Sequence, residues 1–323
     1  DELISSGRIQ YEDGYICLFD RSELPQVRRA RQEWVARKMK KVQRAARLLQ
    51  WVPFIQMIAV CNRLSVGHPH KESDIDVFII IKDGRLWLGR LLATLLLQLF
   101  GLRRHGSRIA DHVCLSFYIT PVAADLSAVA LHSTSPLPLG ESNSSEDTGV
   151  RALVRRARPC KAAPCRPSGR GAQRHRERGL KEMRHPPPNP LPSREGGIDD
   201  VYMRFWVPHV LPLWARGGVL KQFWQANRWA HHSIHQAPMI EPLIKLRGSL
   251  LVYVLEWLLR GRLGDLLDNV TKKIQYQRVT RTQQSQTTAT GVVVSDSMLK
   301  FHENDRRDFY AQNWEKRKAE YAL

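Results

Sequence analysis

Asp74 and Asp76 stand one residue apart at the head of an apolar run, Val77 to Ile81. A β-strand sends alternate side chains to opposite faces, which puts both carboxylates on one face about 7 Å apart along the strand. Two like charges so placed repel unless a cation sits between them. Such a pair suits Mg²⁺, which takes one or two protein carboxylates and fills its other positions with water and substrate phosphate. The plainer reading of Asp-x-Asp is a strand that opens with two solvated acids. The approach to the pair favours chemistry. An apolar stretch at 54–60 runs into Asn62 and Arg63, then Gly67 and a polar loop that ends in Ser73.

The elements that must hold this pair flank it on both sides. Residues 54–60 read as a short strand behind Pro53, which ends the helix before it. Lys82-Asp-Gly84 turns the chain out of the Asp74/Asp76 strand into an apolar helix over 86–102, and 113–119 is a third strand. This order predicts an α/β (α+β) fold, a mixed sheet with flanking helices. The 86–102 helix carries Gly89, Arg90 and Gln98 and is short for a membrane span, so it is expected to lie buried in protein. Upstream, 25–50 reads as a long helix with Pro25 in its first turn. Trp34, Val35, Val42, Leu48 and Leu49 give it a thin apolar stripe, and Lys/Arg from Arg28 to Arg47 crowd the rest. Those cations are either a contact surface for a phosphate backbone or a solvated face. At the start, Asp13-Gly14 between alternating apolar residues predicts a hairpin over 7–19, a simple cap or the wing of a winged-helix unit. A chain opening with Asp1 is expected to lack its true N-terminus.

The net charge of +19 over 323 residues ordinarily points to an anionic partner such as nucleic acid. It is unevenly placed. Residues 151–196 hold 13 Lys/Arg against 3 Asp/Glu, more than half of the excess. Between 133 and 198 Pro, Gly and Arg dominate and no apolar period survives, a composition that buries too little surface to offset chain entropy. The run from Pro186 to Gly196 resembles the translated end of an interspersed bacterial repeat element, and Ser135 to Glu141 resembles its opposite end. The segment reads as a disordered insertion. Five cysteines, Cys17, Cys61, Cys114, Cys160 and Cys165, with no C-x-x-C spacing, point to neither a disulfide framework nor a zinc site and fit a reducing cytoplasm.

Beyond the insertion, helices are expected at 199–214, 218–235 and 243–275, with Trp206, Trp214, Phe223, Trp224, Trp229 and Trp257 as core anchors. His231 and His235 stand one turn apart without a third metal ligand in view. A Gln/Thr-rich linker covers 283–290, and 299–321 reads as helical. The organisation expected is a hairpin at 1–24, an α/β domain at 25–132, the insertion at 133–198, a helical region completing the fold at 199–281, and a linker with a last helix at 282–323.

The apolar strand, small turn, loop and paired acids resemble the nucleotidyltransferase superfamily of the DNA polymerase beta type. That family's pattern is an apolar strand, Gly-Ser, a loop, and two acids spaced by one residue on a second strand. The resemblance is good over 50–131 and weaker over 1–49 and 199–310. It implies Mg²⁺-dependent transfer of a nucleotidyl group from an NTP to a nucleic acid or protein acceptor. Asp74 and Asp76 would be the catalytic metal ligands, with Asn62, Arg63, Gly67 and Ser73 around the nucleotide. Such transfer is an in-line displacement at phosphorus, helped by positioning and charge neutralisation. Carboxylate-held metal ions serve the attacking and leaving oxygens. Two departures stand out. Asn62-Arg63 replaces Gly-Ser, which keeps a residue tolerant of left-handed backbone but loses the hydroxyl. The third carboxylate of the family has no counterpart on 113–119, where Ser116 lies near its place and Asp111 and Asp125 flank the strand. The alternative expectation is a catalytically degenerate module that binds nucleotide or nucleic acid.

Overall fold

The computed structural model describes residues 2–12, 14–19, 21–130, 200–233, 241–244, 249–284, 292–301 and 307–321. The expected insertion at 133–198, with Cys160 and Cys165, lies outside the described residues, as does His235 of the histidine pair. Residues Asp1–Ser133 and Gly197–Leu323 make up one unit.

A short helix α1 (Glu2–Ser5) leads into the hairpin β1 (Ile9–Glu12) and β2 (Tyr15–Leu18). Its strands pair antiparallel with Glu12 opposite Tyr15. There follow α2 (Glu23–Leu49), β3 (Ile55–Val60), α3 (Asn62–Ser65), β4 (Ile75–Ile81), α4 (Leu86–Leu99) and β5 (Val113–Ile119). Further along come α5 (Val201–Trp206), β6 (Leu211–Ala215), α6 (Val219–Ala226), α7 (Leu250–Leu258), α8 (Arg262–Gln284), β7 (Val292–Val294), β8 (Met298–Phe301) and α9 (Arg307–Tyr321). Six strands form one sheet in the order β6-β3-β4-β5-β8-β7. Only the central β4–β5 pair is parallel among them. The expected mixed sheet with flanking helices is what the chain builds.

β4 reads as a continuous apolar run because both of its faces are covered. Ile75, Val77, Ile79 and Ile81 pack with Val42, Ala45, Ala46 and Leu49 of α2 and with Trp87, Ala93 and Leu97 of α4. Phe78 and Ile80 pack on the other side with Phe117, Trp206 and Phe223. Among the described residues no helix is long and apolar enough to cross a membrane. α4 instead lays its apolar side on the sheet.

Four expectations need correction. The helix expected over 199–214 stops at Trp206, and Leu211–Ala215 is an edge strand paired with β3. Pro212 fits there because an edge strand can do without its N–H. The helix expected over 299–321 begins only at Arg307. Before it, β7 and β8 form a hairpin closed by the Ser295 N–H donating to the Met298 carbonyl at 2.9 Å, and β8 joins β5. Trp206, Trp214, Phe223 and Trp224 are buried as expected, whereas Trp257 is 72% exposed. The helix expected over 243–275 is two, α7 and α8, and Trp257 faces solvent from the first.

Candidate functional site

The chain leaves β3 at Val60 and turns through Asn62, whose φ of +58° lies in the left-handed region. Asn reaches that region more easily than most residues, which is how the turn survives without glycine. Its side chain then has two partners. The carbonyl Oδ1 accepts from Trp206 Nε1 at 2.7 Å, and the amide donates to the Asp76 carboxylate. The register places Val60 opposite Val77 and Asp76 beside Cys114 of β5. Donor atoms of Asp74, Asp76 and Cys114 all lie within 4.8 Å of one another. Arg104 reaches across them: its Nη1 donates to Asp74 Oδ2 at 2.7 Å and lies 3.7 Å from Cys114 Sγ.

The electrostatics follow from this crowding. Burial, and then the charge of Asp74, push the Asp76 carboxyl up to about 6, against partial relief from Asn62, Arg104 and Cys114. Burial, then Asp76 and Asp74, push the Cys114 thiol up to about 12. The buried Cys61 thiol is raised well above its ordinary value, first by burial and then by Asp76. A buried carboxylate beside a second one is an arrangement that a bound cation would relieve.

Asn62, Asp74, Asp76 and Arg104 line a cleft of about 930 Å³. Its walls are basic and aromatic. Arg63, Arg104, Lys300 and Arg317 line it, together with Tyr202, Phe205 and Trp206 of α5. α9 contributes Tyr310, Asn313, Trp314 and Arg317, the i, i+3, i+4, i+7 set that shares one helical face. Asp200 holds the wall together: its side chain caps α5 by accepting from Met203 N at 2.8 Å and lies 3.7 Å from Arg307 Nη1 at the start of α9. The Tyr202 and Tyr310 rings stack at 5.6 Å and 19°.

Of the expected site residues, Asn62, Arg63, Ser73, Asp74 and Asp76 line this cleft and Gly67 does not. Gly67 has φ +69°, and a Cβ there would meet the Arg28 guanidinium at 3.0 Å. Arg28 Nη1 donates to the Gly67 carbonyl at 3.2 Å, so the glycine lets α2 approach the loop. Ser73 serves the loop more than a ligand, because its hydroxyl donates to the His70 carbonyl at 3.0 Å. The flanking acids are structural. Asp125 accepts from Ser127 N at 2.9 Å. Asp111, at φ +60°, receives Lys38 Nζ at 2.6 Å, Arg37 Nε at 2.9 Å and Lys41 Nζ at 3.4 Å. Lys38 is fully buried and also donates to the Ser73 carbonyl at 2.7 Å. The basic helix is therefore not solvated all round, and one of its lysines anchors the loop that delivers Asp74.

Sequence reasoning missed Cys114, Arg104, Lys300 and the inner face of α9. Cys114 has no spacing signal, since only strand pairing brings it to Asp76. The α9 face did have one, in the helical spacing of Tyr310, Trp314 and Arg317. As a donor set, Asp74 and Asp76 fit Mg²⁺, whose protein ligands are oxygens; the Cys114 sulfur does not. Comparison with protein-family models, with curated proteins and with solved structures returned no match.

Proposed function

We propose that the cleft binds a nucleoside triphosphate with a divalent cation and transfers a nucleotidyl group from it to an acceptor, as the resemblance to the polymerase beta-type nucleotidyltransferases implies. The observation that carries this reading is the acid floor of Asp74 and Asp76 beneath walls bearing Arg63, Arg104, Lys300 and Arg317. Acidic floor and basic walls together complement a cation–polyphosphate pair better than either ion alone.

Asp74 and Asp76 would hold the cation, and a bound Mg²⁺ would supply neutralisation of the charge that develops on the phosphoryl oxygens. Asn62, fixed by Trp206, keeps the Asp76 carboxylate oriented. Arg104 is 42% exposed, so its guanidinium is free to move from Asp74 to a phosphate. Arg63, Lys300 and Arg317 neutralise the remaining phosphate charge. Tyr310 and Trp314 are each nearly half exposed and offer faces on which a base can stack. The acceptor is a nucleic acid or a protein, and the exposed Arg29, Lys40, Arg44 and Arg47 of α2 suit an anionic one. A cytoplasmic location goes with an NTP substrate and free thiols.

The test is calorimetric titration of NTPs in millimolar Mg²⁺ or Mn²⁺, with transfer of labelled nucleotide followed in parallel. Binding by the native protein and its loss in Asp74→Ala are expected. A native protein that binds no NTP under these conditions overturns the reading. A second reading, a module that binds nucleotide without turning it over, is favoured by the strand register, which sets Cys114 and not Ser116 beside Asp76, and so no acid there. Binding without transfer, and no gain of transfer from Asn62→Gly with Arg63→Ser, is its signature.

A further inference from the structure

The strand beside Asp76 carries sulfur, not oxygen, and this bears on which cation the cleft takes. Cys114 is a free thiol, paired in register with Asp76 on the parallel neighbour. Its Sγ belongs with one carboxylate oxygen each of Asp74 and Asp76 to a set mutually within 4.8 Å. An ion with metal–sulfur bonds of about 2.3 Å and metal–oxygen bonds of about 2.1 Å in a tetrahedron needs such donors roughly 3.4–3.6 Å apart. Closing the set therefore takes side-chain movements of about 1 Å and no change in strand pairing. The site is also open. Asp74 and Asp76 line the cleft with Cys114 beside them, so a fourth position remains on the cleft side for water or a substrate oxygen.

Thiolate ligands select zinc-like ions, whereas all-oxygen sites suit Mg²⁺, Ca²⁺ and Mn²⁺. We propose that Asp74, Asp76 and Cys114 together bind one thiophilic divalent cation of the Zn²⁺ class, with Cys114 as a direct ligand through its thiolate. On binding, the Cys114 thiol proton passes to solvent, the sulfur–metal bond forms, and no electron is transferred. The ion displaces the Arg104 guanidinium, which spans Asp74 and Cys114. The inference rests on the reading of Asp74 and Asp76 as cation ligands, and adds a third donor and with it a metal class.

Co²⁺ is the probe, because a cobalt–thiolate bond gives a sulfur-to-metal charge-transfer absorption in the near ultraviolet that carboxylate ligation does not. The full chain titrated with Co²⁺ is expected to show that band at one equivalent, and Zn²⁺ is expected to abolish it in competition while equimolar Mg²⁺ leaves it. Cys114→Ser is expected to lose the band and to weaken Zn²⁺ by more than the roughly 10–100-fold that loss of an outer-shell partner brings. Cys114→Asp, which supplies oxygen in place of sulfur, is expected to recover cation binding without the band and to shift preference toward Mn²⁺ and Mg²⁺. Circular dichroism on each variant separates a lost ligand from a lost fold. Divalent binding with no charge-transfer band, unchanged by Cys114→Ser, overturns the role of Cys114 and leaves the two-carboxylate reading standing. No binding of Co²⁺, Zn²⁺, Mn²⁺ or Mg²⁺ by the native chain overturns both.

Discussion

Two acid sites flank the start of β4, and they are built in opposite ways. Asp111 has three cations around it, Arg37, Lys38 and Lys41, all within 3.4 Å. Asp76 has a second carboxylate, two buried or half-buried thiols, and one arginine that pairs with Asp74 instead. Burial works against the charge of both carboxyls. At Asp111 the hydrogen bond and charge of Lys38, with Lys41 and Arg37, overcome it and the carboxyl is held below its ordinary value. At Asp76 burial and Asp74 win, and the carboxyl rises to about 6. A saturated acid site is what a fold uses to fix a loop. An acid site short of positive charge is one that a bound cation would relieve.

The largest effect should come from the saturated site. Lys38→Met leaves Asp111 and the Ser73 carbonyl without their shortest donor, and breaking a buried pair from one side typically costs about 3–5 kcal/mol. Urea unfolding of the variant measures it, and a loss below about 1 kcal/mol would place Lys38 among ordinary surface cations.

Asp76→Asn should act in the other direction. A carboxyl raised from 3.8 to about 6 binds more protons folded than unfolded, so it lowers stability as pH rises through that window and keeps the penalty above it. In EDTA at pH 8 the variant should be more stable than the native chain by up to about 3 kcal/mol, with the gain gone below pH 4. Asp111 runs opposite: its lowered value gives stability above the ordinary carboxylate range that is lost as pH falls through and below it. Denaturant midpoints between pH 3 and pH 8 therefore separate the two sites, and parallel curves for the native chain and Asp76→Asn would contradict the contrast.

Smaller effects follow at the edges. Arg104→Ala removes the resident cation from Asp74 and should tighten divalent-cation binding roughly threefold to fivefold, matching the up to about 1 kcal/mol of a part-exposed pair. The same change should weaken NTP binding, which calorimetry with and without nucleotide resolves. Trp206→Phe deletes the donor to Asn62 Oδ1 and should destabilise by about 1 kcal/mol, visible as a small drop in the melting temperature.

The contrast explains what the sequence could and could not disclose. β3, β4, α4 and β5 were legible because their apolar runs and turns are local, and so were Asp74 and Asp76, which share a face by period alone. Asn62 was legible as a left-handed turn residue. The edge strand Leu211–Ala215 was not, because Pro212 and its helical neighbours masked a pairing that only β3 makes possible. β8 was hidden for the same reason, since four residues acquire strand identity from β5. Lys38 looks like any other cation of a basic helix until its partner, seventy-three residues on, is placed beside it. Cys114 carries no motif; its meaning comes from the register of a parallel pair.

The Asp74–Asp76 pair is short of positive charge, a deficit that a cation with its nucleotide would relieve. The most direct measurement compares the stability of the native chain and Asp76→Asn at pH 8, in EDTA and again with a divalent cation and NTP. A reversal is expected: the variant is the more stable in EDTA, and the native chain overtakes it or draws level once cation and nucleotide are added. A native chain whose stability is the same in both solutions would contradict it.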